Sequence, residues 1–156
     1  MKILQRYRSR HGLGEERGQS LVETALVSPI LLLLLLGIVD FGWFAYNYIE
    51  LANAANAGVH YAAQNTATAA DTPAIQAAMN SDAANMTSIS PTVSMACTCS
   101  DGTAVTCTNY VACTVPARLI DTVTVTATKT VSPLVNWPGI PNSVTLHSSA
   151  VMQVEQ

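Results

Sequence analysis

The fold is decided by residues 18–39, which read GQSLVETALVSPILLLLLLGIV. From Leu21 onward this stretch is almost wholly apolar, and the apolar character continues through an aromatic cluster to Tyr48. An α-helix from Leu21 to Tyr48 measures about 42 Å at 1.5 Å per residue, which exceeds the roughly 30 Å hydrocarbon core of a bilayer. The sequence therefore predicts a transmembrane helix, residues 19–48, that extends outward beyond the membrane.

Basic residues cluster before this helix, in residues 1–18. They are Lys2, Arg6, Arg8, Arg10 and Arg17. Basic residues beside an apolar span mark its cytoplasmic side, so we expect a cytoplasmic N-terminus and a C-terminal domain outside the cytoplasm. After Gly18, Arg118 and Lys129 stand against eight carboxylates, a net charge of −6. Binding to nucleic acid is not expected, because neutralising phosphates requires clustered Lys and Arg.

Glu23 is a carboxylate at the start of the apolar run. A charge inside a membrane segment costs roughly 2.5 to 3.5 kcal/mol on insertion scales, so such residues are usually paired. The favoured interpretation is a role in assembly, with a cation of another subunit as the partner. The alternative is that Glu23 lies at the headgroup level in the first helical turn, where the helix dipole favours an anion.

The six residues from Gly18 to Glu23, GQSLVE, follow a basic leader and precede an apolar helix. In this arrangement they resemble the processing site of type IV prepilins. The resemblance implies that a prepilin peptidase cleaves after Gly18 on the cytoplasmic side, so that the leader is removed and Gln19 becomes the first residue. The new α-amino group of Gln19 is then the cation that Glu23 of a neighbouring subunit can neutralise. At about 4 Å, two such charges attract by about 4 kcal/mol at an effective dielectric constant of 20.

Three further segments carry a closer resemblance. They are VETALVSP at residues 22–29, GIVDFG at 37–42 and NAANAGVHYAA at 53–63. Together they resemble the TadE-like pseudopilins of bacterial tight-adherence (Tad/Flp) pilus systems. The resemblance covers the N-terminal half well, and the cysteine region and C-terminal strand more loosely. It implies a pseudopilin or minor pilin in the inner membrane that assists assembly or initiation of a pilus, and thereby adhesion or secretion. Its implied partners are other pilins or pseudopilins, Tad assembly proteins and the bilayer, in a homo- or hetero-oligomer, with entry into the filament left open.

Residues 49–90 are predicted to hold a helical extension and a short second helix. The extension continues the first helix to about Asn65, and Pro29 is expected to kink or locally unwind that helix because proline removes a backbone hydrogen bond. Residues 66–72 are predicted to form a linker. Thr72 then acts as the N-cap of the second helix, with Pro73 at its first position.

Residues 91–156 change to a period of two, which is typical of strands. Valines alternate with threonines from Val123 to Val131, and apolar residues alternate with polar ones from Val144 to Met152. Between them a loop with Trp137 at its centre is too long for a tight hairpin. The sequence thus predicts an α+β fold, in which a sheet of three or four antiparallel strands packs on the long helix.

Four cysteines lie close together, at Cys97, Cys99, Cys107 and Cys113. In an oxidising compartment they predict two disulfides that staple a loop of the sheet region, with three possible pairings. The pair Cys97 with Cys99 is disfavoured by ring strain. A return of the chain through residues 101–102 favours the nested pairing of Cys99 with Cys107 and Cys97 with Cys113.

The same cysteines support an alternative function, a membrane-tethered periplasmic protein that binds a soft metal or exchanges disulfides. His60 and His147 are distant in sequence from the cysteines, and no basic group that would lower a thiol pKa lies within the segment. No nucleophile elbow, phosphate loop or metal-spaced histidine motif is present in the sequence. The expectation is a protein that is not an enzyme and needs no cofactor or metal.

Overall fold

The computed structural model describes residues 15–86, 88–107 and 113–155. Most of the predicted leader, residues 1–14, therefore lies outside the described residues. Three helices come first: α1 (Glu15–Ala62), α2 (Thr66–Ala70) and α3 (Thr72–Asp82). Four strands follow: β1 (Ser90–Cys99), β2 (Ala104–Val105), β3 (Leu119–Val131) and β4 (Val144–Gln153). The predicted α+β fold is confirmed.

α1 is a single helix of 48 residues, and it begins at Glu15 rather than at residue 19. Gly18 and Gln19 therefore lie within the helix. Pro29 is inside α1 without ending it, and the kink or local unwinding expected there stays a prediction. The proline removes only one donor, since its missing N–H would have bonded the carbonyl of Ala25 four residues earlier.

The segment after α1 contains a helix where the sequence predicts a linker. Asn65 caps α2: its side chain accepts a hydrogen bond from the backbone N–H of Thr68 at 2.9 Å, and the Thr68 hydroxyl accepts one from the backbone N–H of Asn65 at 3.0 Å. This reciprocal pair is a capping box, here with threonine in the position usually held by Glu or Gln. Asp71, not the predicted Thr72, caps α3 by accepting a bond from the N–H of Ala74 at 3.1 Å.

The strands form one antiparallel sheet in the order β2-β1-β3-β4. Val93 and Ala150 lie on either side of Val125 in the central strand, which fixes the register of the three long strands. Side chains of β3 alternate, so that Val123 and Val125 are fully buried while the intervening threonines are partly exposed. Among the described residues the predicted three or four strands are thus four, with β2 reduced to two residues.

The core lies between one face of the sheet and a helical layer. This layer consists of the part of α1 after Phe41 together with α2 and α3. Its largest fully buried apolar side chains come from α1, α3, β3 and the segment before β1: Leu51, Val59, Ile75, Met79, Ile89, Val123 and Val125. Gly58 of α1 allows the closest approach, because a Cβ there would lie 2.7 Å from Cγ of Met79 and 3.2 Å from Cγ1 of Val125. Alanine and glycine on this face of α1 thereby let the helix pack tightly on α3 and the sheet.

The chain divides into two compact units between Phe41 and Gly42. The first contains the N-terminal part of α1, and the second contains the remainder of α1 with every other helix and strand named above. In the second unit, residues 132–143 connect β3 to β4 as an irregular loop, as predicted. The loop joins Val131 to Val144, which are the last paired residues of β3 and β4.

Candidate functional site

Polar side chains follow one side of the N-terminal part of α1. They line a shallow groove of about 350 Å³, whose residues recur at spacings of three and four: Ser20, Glu23, Thr24, Val27, Ser28 and Leu31. Residues with these spacings share one face of an α-helix. In a membrane helix, Ser and Thr on such a face can form contacts with a neighbouring helix. The sequence reasoning singled out Glu23 and missed the three hydroxyl residues, although their spacing could have revealed the stripe.

Two of the three hydroxyl groups of this stripe, those of Thr24 and Ser28, bond to the helix itself. Thr24 Oγ1 donates to the carbonyl of Ser20 at 2.9 Å. Ser28 Oγ donates to the carbonyl of Ala25 at 3.4 Å, a long bond that meets the acceptor left free by Pro29. Re-satisfying a freed carbonyl by a nearby serine is a common way for membrane helices to tolerate proline. The helix therefore supplies internal partners for the hydroxyl groups of Thr24 and Ser28.

Glu23 differs from its polar neighbours. Its side chain is exposed, and no ion pair links it to any side chain that the structure describes. Gln19 lies one helical turn before it on α1. The Glu23 carboxylate is therefore available to pair with a cation that is not among the described residues. Such a pair would form on the side of the helix that also carries the hydroxyl groups. Processing at Gly18 and Gln19 and the assembly role of Glu23 stay predictions.

α1 contains the one segment among the described residues, Gly18–Ala62, that is long and apolar enough to cross a membrane. The most apolar part of that segment is not buried by the rest of the protein. Its aliphatic side chains are largely exposed, as Leu21 at 71% and Ile38 at 70% illustrate. Burying such surface in lipid rather than water is favourable by about 25 cal/mol for each Å². Length, composition and exposure together describe a helix that could span a bilayer.

Two aromatic residues follow the apolar part of the helix, at the start of the second unit. The ring centroids of Trp43 and Tyr46 lie 6.2 Å apart with the ring planes 22° from parallel. Nearby, Asn47 is buried and its Nδ2 donates to the carbonyl of Trp43 at 2.8 Å. Trp and Tyr are enriched where a membrane meets water. The structure thus keeps the predicted aromatic cluster within a single continuous helix.

The four cysteines form two disulfides, Cys97–Cys107 and Cys99–Cys113. The nested pairing predicted from the sequence is wrong. The reason is the register of the β1–β2 hairpin, in which Cys97 lies opposite Val105 and the N–H of Cys99 bonds the carbonyl of Thr103 at 2.8 Å. Cys107 lies four residues beyond Thr103. If the chain stayed extended after Thr103, Cys107 would lie about 13 Å from Cys99, which is too far for a disulfide.

Cys97 and Cys99 do share one face of β1, as predicted, and both are buried. The turn between β1 and β2 is closed by Asp101, whose Oδ1 accepts the N–H of Thr103 at 2.9 Å. Hydrogen bonds from the backbone and side chain of Thr103 hold the pKa of Asp101 below its ordinary value of 3.8. Gly102 adopts a φ of +89°, a conformation that glycine takes without steric cost.

Metal binding and thiol chemistry require ligands or thiols that are near one another and accessible. Within residues 15–86, 88–107 and 113–155, no three His, Cys, Asp or Glu side chains are grouped so as to hold a metal ion. All four cysteines are oxidised and none is free.

One buried carboxylate that the sequence reasoning missed, Asp121, lies on β3 opposite Cys97 with 1% of its surface exposed. Strand alternation places it on the core face.

The structure defines a class of protein in which one long N-terminal apolar helix precedes a small antiparallel sheet with two disulfides. Residues 18–60 match the model of the family described as TadE-like protein. The chain is therefore TadE-like over that segment, and the resemblance predicted from its motifs is confirmed. TadE-like character implies a Tad pilus-associated protein. The match ends at His60, before the cysteines and the sheet. Comparisons with curated proteins and with solved structures found no match.

Proposed function

We propose that this protein is a pseudopilin or minor pilin that assists assembly or initiation of a Tad/Flp-type pilus, as a structural subunit and not as an enzyme. The observation that carries the proposal is the TadE-like match, which begins at Gly18, the residue before the predicted cleavage site. The match covers the helix that could span a membrane and the polar stripe with Glu23. The processed subunit starts at Gln19 and stays in the inner membrane or enters a pilus.

The proposed arrangement has a cytoplasmic leader, one membrane span and a head outside the cytoplasm. The basic residues before Gly18 support this orientation. The two disulfides support it further, because such bonds persist in oxidising compartments. The proposed partners are a prepilin peptidase and homologous helices of other pilins or pseudopilins. The metal-binding or thiol-redox alternative has no observation in its favour within the described residues.

Glu23 acts in assembly by neutralising the α-amino group at Gln19 of a neighbouring subunit. The support is physical: an exposed carboxylate in a lipid-facing helix is costly until it meets a cation. Hydroxyl groups on the same side of α1 provide a surface on which a second helix can approach. The pair also aligns two helices lengthwise, since each subunit contributes its cation at one end and its anion one turn later.

The first test is the intact mass and N-terminal sequence of the membrane-extracted protein, from cells with and without the prepilin peptidase. The expected result is a chain that starts at Gln19 only when the peptidase is present, and that gains four hydrogens on reduction. Gly18→Leu should leave the leader attached in both strains, while Gly37→Leu, a substitution of another helical glycine with open space around it, should not. A chain that starts at Met1 in both strains would refute the processing.

The second test addresses assembly. Glu23→Gln should leave processing intact but lower the recovery of the protein in cross-linked complexes with other pilins. Glu50→Gln is the matched control, since Glu50 lies on the same helix beyond the apolar segment. Equal recovery of the two variants would contradict the role of Glu23 without bearing on cleavage after Gly18.

A further inference from the structure

The loop of residues 132–143 lies at the end of the second unit where α1 enters it. A cleft of about 280 Å³ at that end is lined by residues of α1, of the α3–β1 connection and of the end of β3: Trp43, Asn47, Asn85, Met86, Lys129, Thr130, Val131 and Ser132. Ser132, the first residue of the loop, thus shares a cleft with Trp43. At the opposite end of the strands, the N–H of Glu155 bonds the carbonyl of Ala63 at 2.9 Å. Within this unit α1 and β3 therefore run in opposite directions.

The composition of this loop is unusual for a surface segment. Residues 132–143 read SPLVNWPGIPNS and carry no charged side chain. Leu134 and Ile140 are exposed over 58% and 55% of their surfaces, and Trp137 is half-buried. The backbone N–H of Ile140 donates a hydrogen bond to the carbonyl of Trp137 at 3.2 Å, so that these two residues lie in one turn. A loop that has no charge and exposes large apolar side chains is suited to contact with a partner or a membrane.

The depth of the loop follows from the length of the helix. If the hydrocarbon core begins near Leu21, its roughly 30 Å are spanned by about 20 residues and end near Asp40. Trp43 follows three residues later in the chain, so the connection alone keeps it close to that level, among the lipid headgroups. Because Ser132 and Trp43 line the same cleft within one unit, the loop starts near that level too.

We infer that residues 132–143 form a second membrane contact, in which Leu134, Trp137 and Ile140 enter the headgroup and upper acyl region of the outer leaflet. This inference rests on the proposed function, because it requires that α1 spans the bilayer. Trp is suited to this depth, with an apolar ring that lies among lipids and an N–H that reaches water. Lys129, which lines the same cleft as Trp43, adds a positive charge near the level of the lipid phosphates. The uncharged loop can thus enter the interface without stranding an ion in it.

The chain contains two tryptophans, Trp43 and Trp137, which allows each depth to be measured separately. The full chain is reconstituted in nanodiscs, either of ordinary phosphatidylcholine or of phosphatidylcholine brominated near the headgroup, since bromine quenches tryptophan at short range. The variant Trp43→Phe reports on the loop alone, and Trp137→Phe reports on the helix alone. The expected result is a loss of emission in the brominated nanodiscs for both variants.

A matched pair of substitutions tests the apolar contact. In the Trp43→Phe background, Leu134→Asn with Ile140→Asn should reduce the quenching of Trp137 and shift its emission to longer wavelength. Val115→Asn serves as the control, because Val115 is 94% exposed and lies near the other end of β3. That control should leave both the quenching and the wavelength unchanged.

The outcomes separate this inference from the proposed function. Quenching of Trp43 without quenching of Trp137 would overturn the loop contact and leave the membrane span standing. An absence of quenching at both would overturn both. If Trp137 is unquenched and two copies are found in each nanodisc, a second copy of the chain covers the loop instead of lipid, which also overturns the inference.

Discussion

Replacing Gly58 by alanine tests how tightly α1 packs on the rest of the second unit. A Cβ at this position would lie 2.7 Å from Cγ and 3.0 Å from Sδ of Met79, and 3.2 Å from Cγ1 of Val125. Met79 and Val125 have no exposed surface. The substitution therefore forces buried side chains to move inside a packed core.

Two effects of opposite sign decide the stability of Gly58→Ala. Alanine is favoured over glycine in a helix interior by about 1 kcal/mol. Overpacking a well-packed core costs typically about 1 to 3 kcal/mol. We expect the upper part of that range, because Met79 is fully buried and the β-branched Val125 is stiff. The net change is then a loss of about 1 to 2 kcal/mol in the free energy of unfolding.

The measurement is urea unfolding of the full chain in detergent micelles, monitored by tryptophan emission. No oxidant or reductant is added, so that the disulfides stay intact. Gly42→Ala is the matched control on the same helix, where nothing lies within 4 Å of the added Cβ. That variant should be unchanged or more stable, by up to about 1 kcal/mol, because only helix propensity acts.

A double-mutant cycle with Met79→Ala isolates the contact. On its own, Met79→Ala should cost about 2 to 5 kcal/mol through loss of buried surface and the cavity left behind. In its presence, Gly58→Ala should be nearly neutral, because the closest atoms have been removed. An equal cost of Gly58→Ala with and without the Met79 side chain would refute the packing argument.

Three shorter predictions concern the sheet region and α2. Cys99→Ser should leave Cys113 as the single thiol that alkylates without prior reduction, and should lower the free energy of unfolding by about 3 kcal/mol, as expected for closing a loop of this length. Asp101, whose pKa is lowered in the folded protein, contributes stability above pH 3.8 that is lost as the pH falls through the lower folded value; Asp101→Asn should flatten that part of the acid unfolding curve. Asn65→Ala removes the acceptor for the Thr68 N–H and should cost about 1 kcal/mol, measured by urea unfolding, whereas a change below about 0.3 kcal/mol would show that the cap is dispensable.

The parts of the fold that follow from periodicity could be predicted from the sequence. The apolar run after Leu21 predicts a membrane-capable helix, and the alternation from Val123 to Val131 predicts a strand with one buried face. These patterns are local, and burial of one face enforces them along the whole element. The same reasoning located the long loop around Trp137 correctly.

The parts that depend on a register or on a single cap could not be predicted. A one-residue difference in a hairpin changes which side chains meet, and the partner of Cys99 depends on the turn closed by Asp101. α2 was missed because its residues, TATAA, resemble a linker in composition and its capping box uses threonine in place of glutamate. The spacing of Ser20, Thr24 and Ser28 around Glu23 could have predicted the polar stripe, but the sequence analysis considered only the charged residue.

The crossed connectivity of the disulfides has a consequence for biogenesis. If the head is translocated with its N-terminal end first, Cys97 and Cys99 emerge before Cys107 and Cys113. Vectorial oxidation, which joins each cysteine to the next one to appear, would produce Cys97–Cys99 and Cys107–Cys113, and the structure contains neither. The native bonds therefore require that the β1–β2 hairpin forms before its cysteines are oxidised, or that a thiol isomerase rearranges the first bonds. If the head lies outside the cytoplasm as proposed, its maturation is then coupled to the thiol-disulfide chemistry of that compartment.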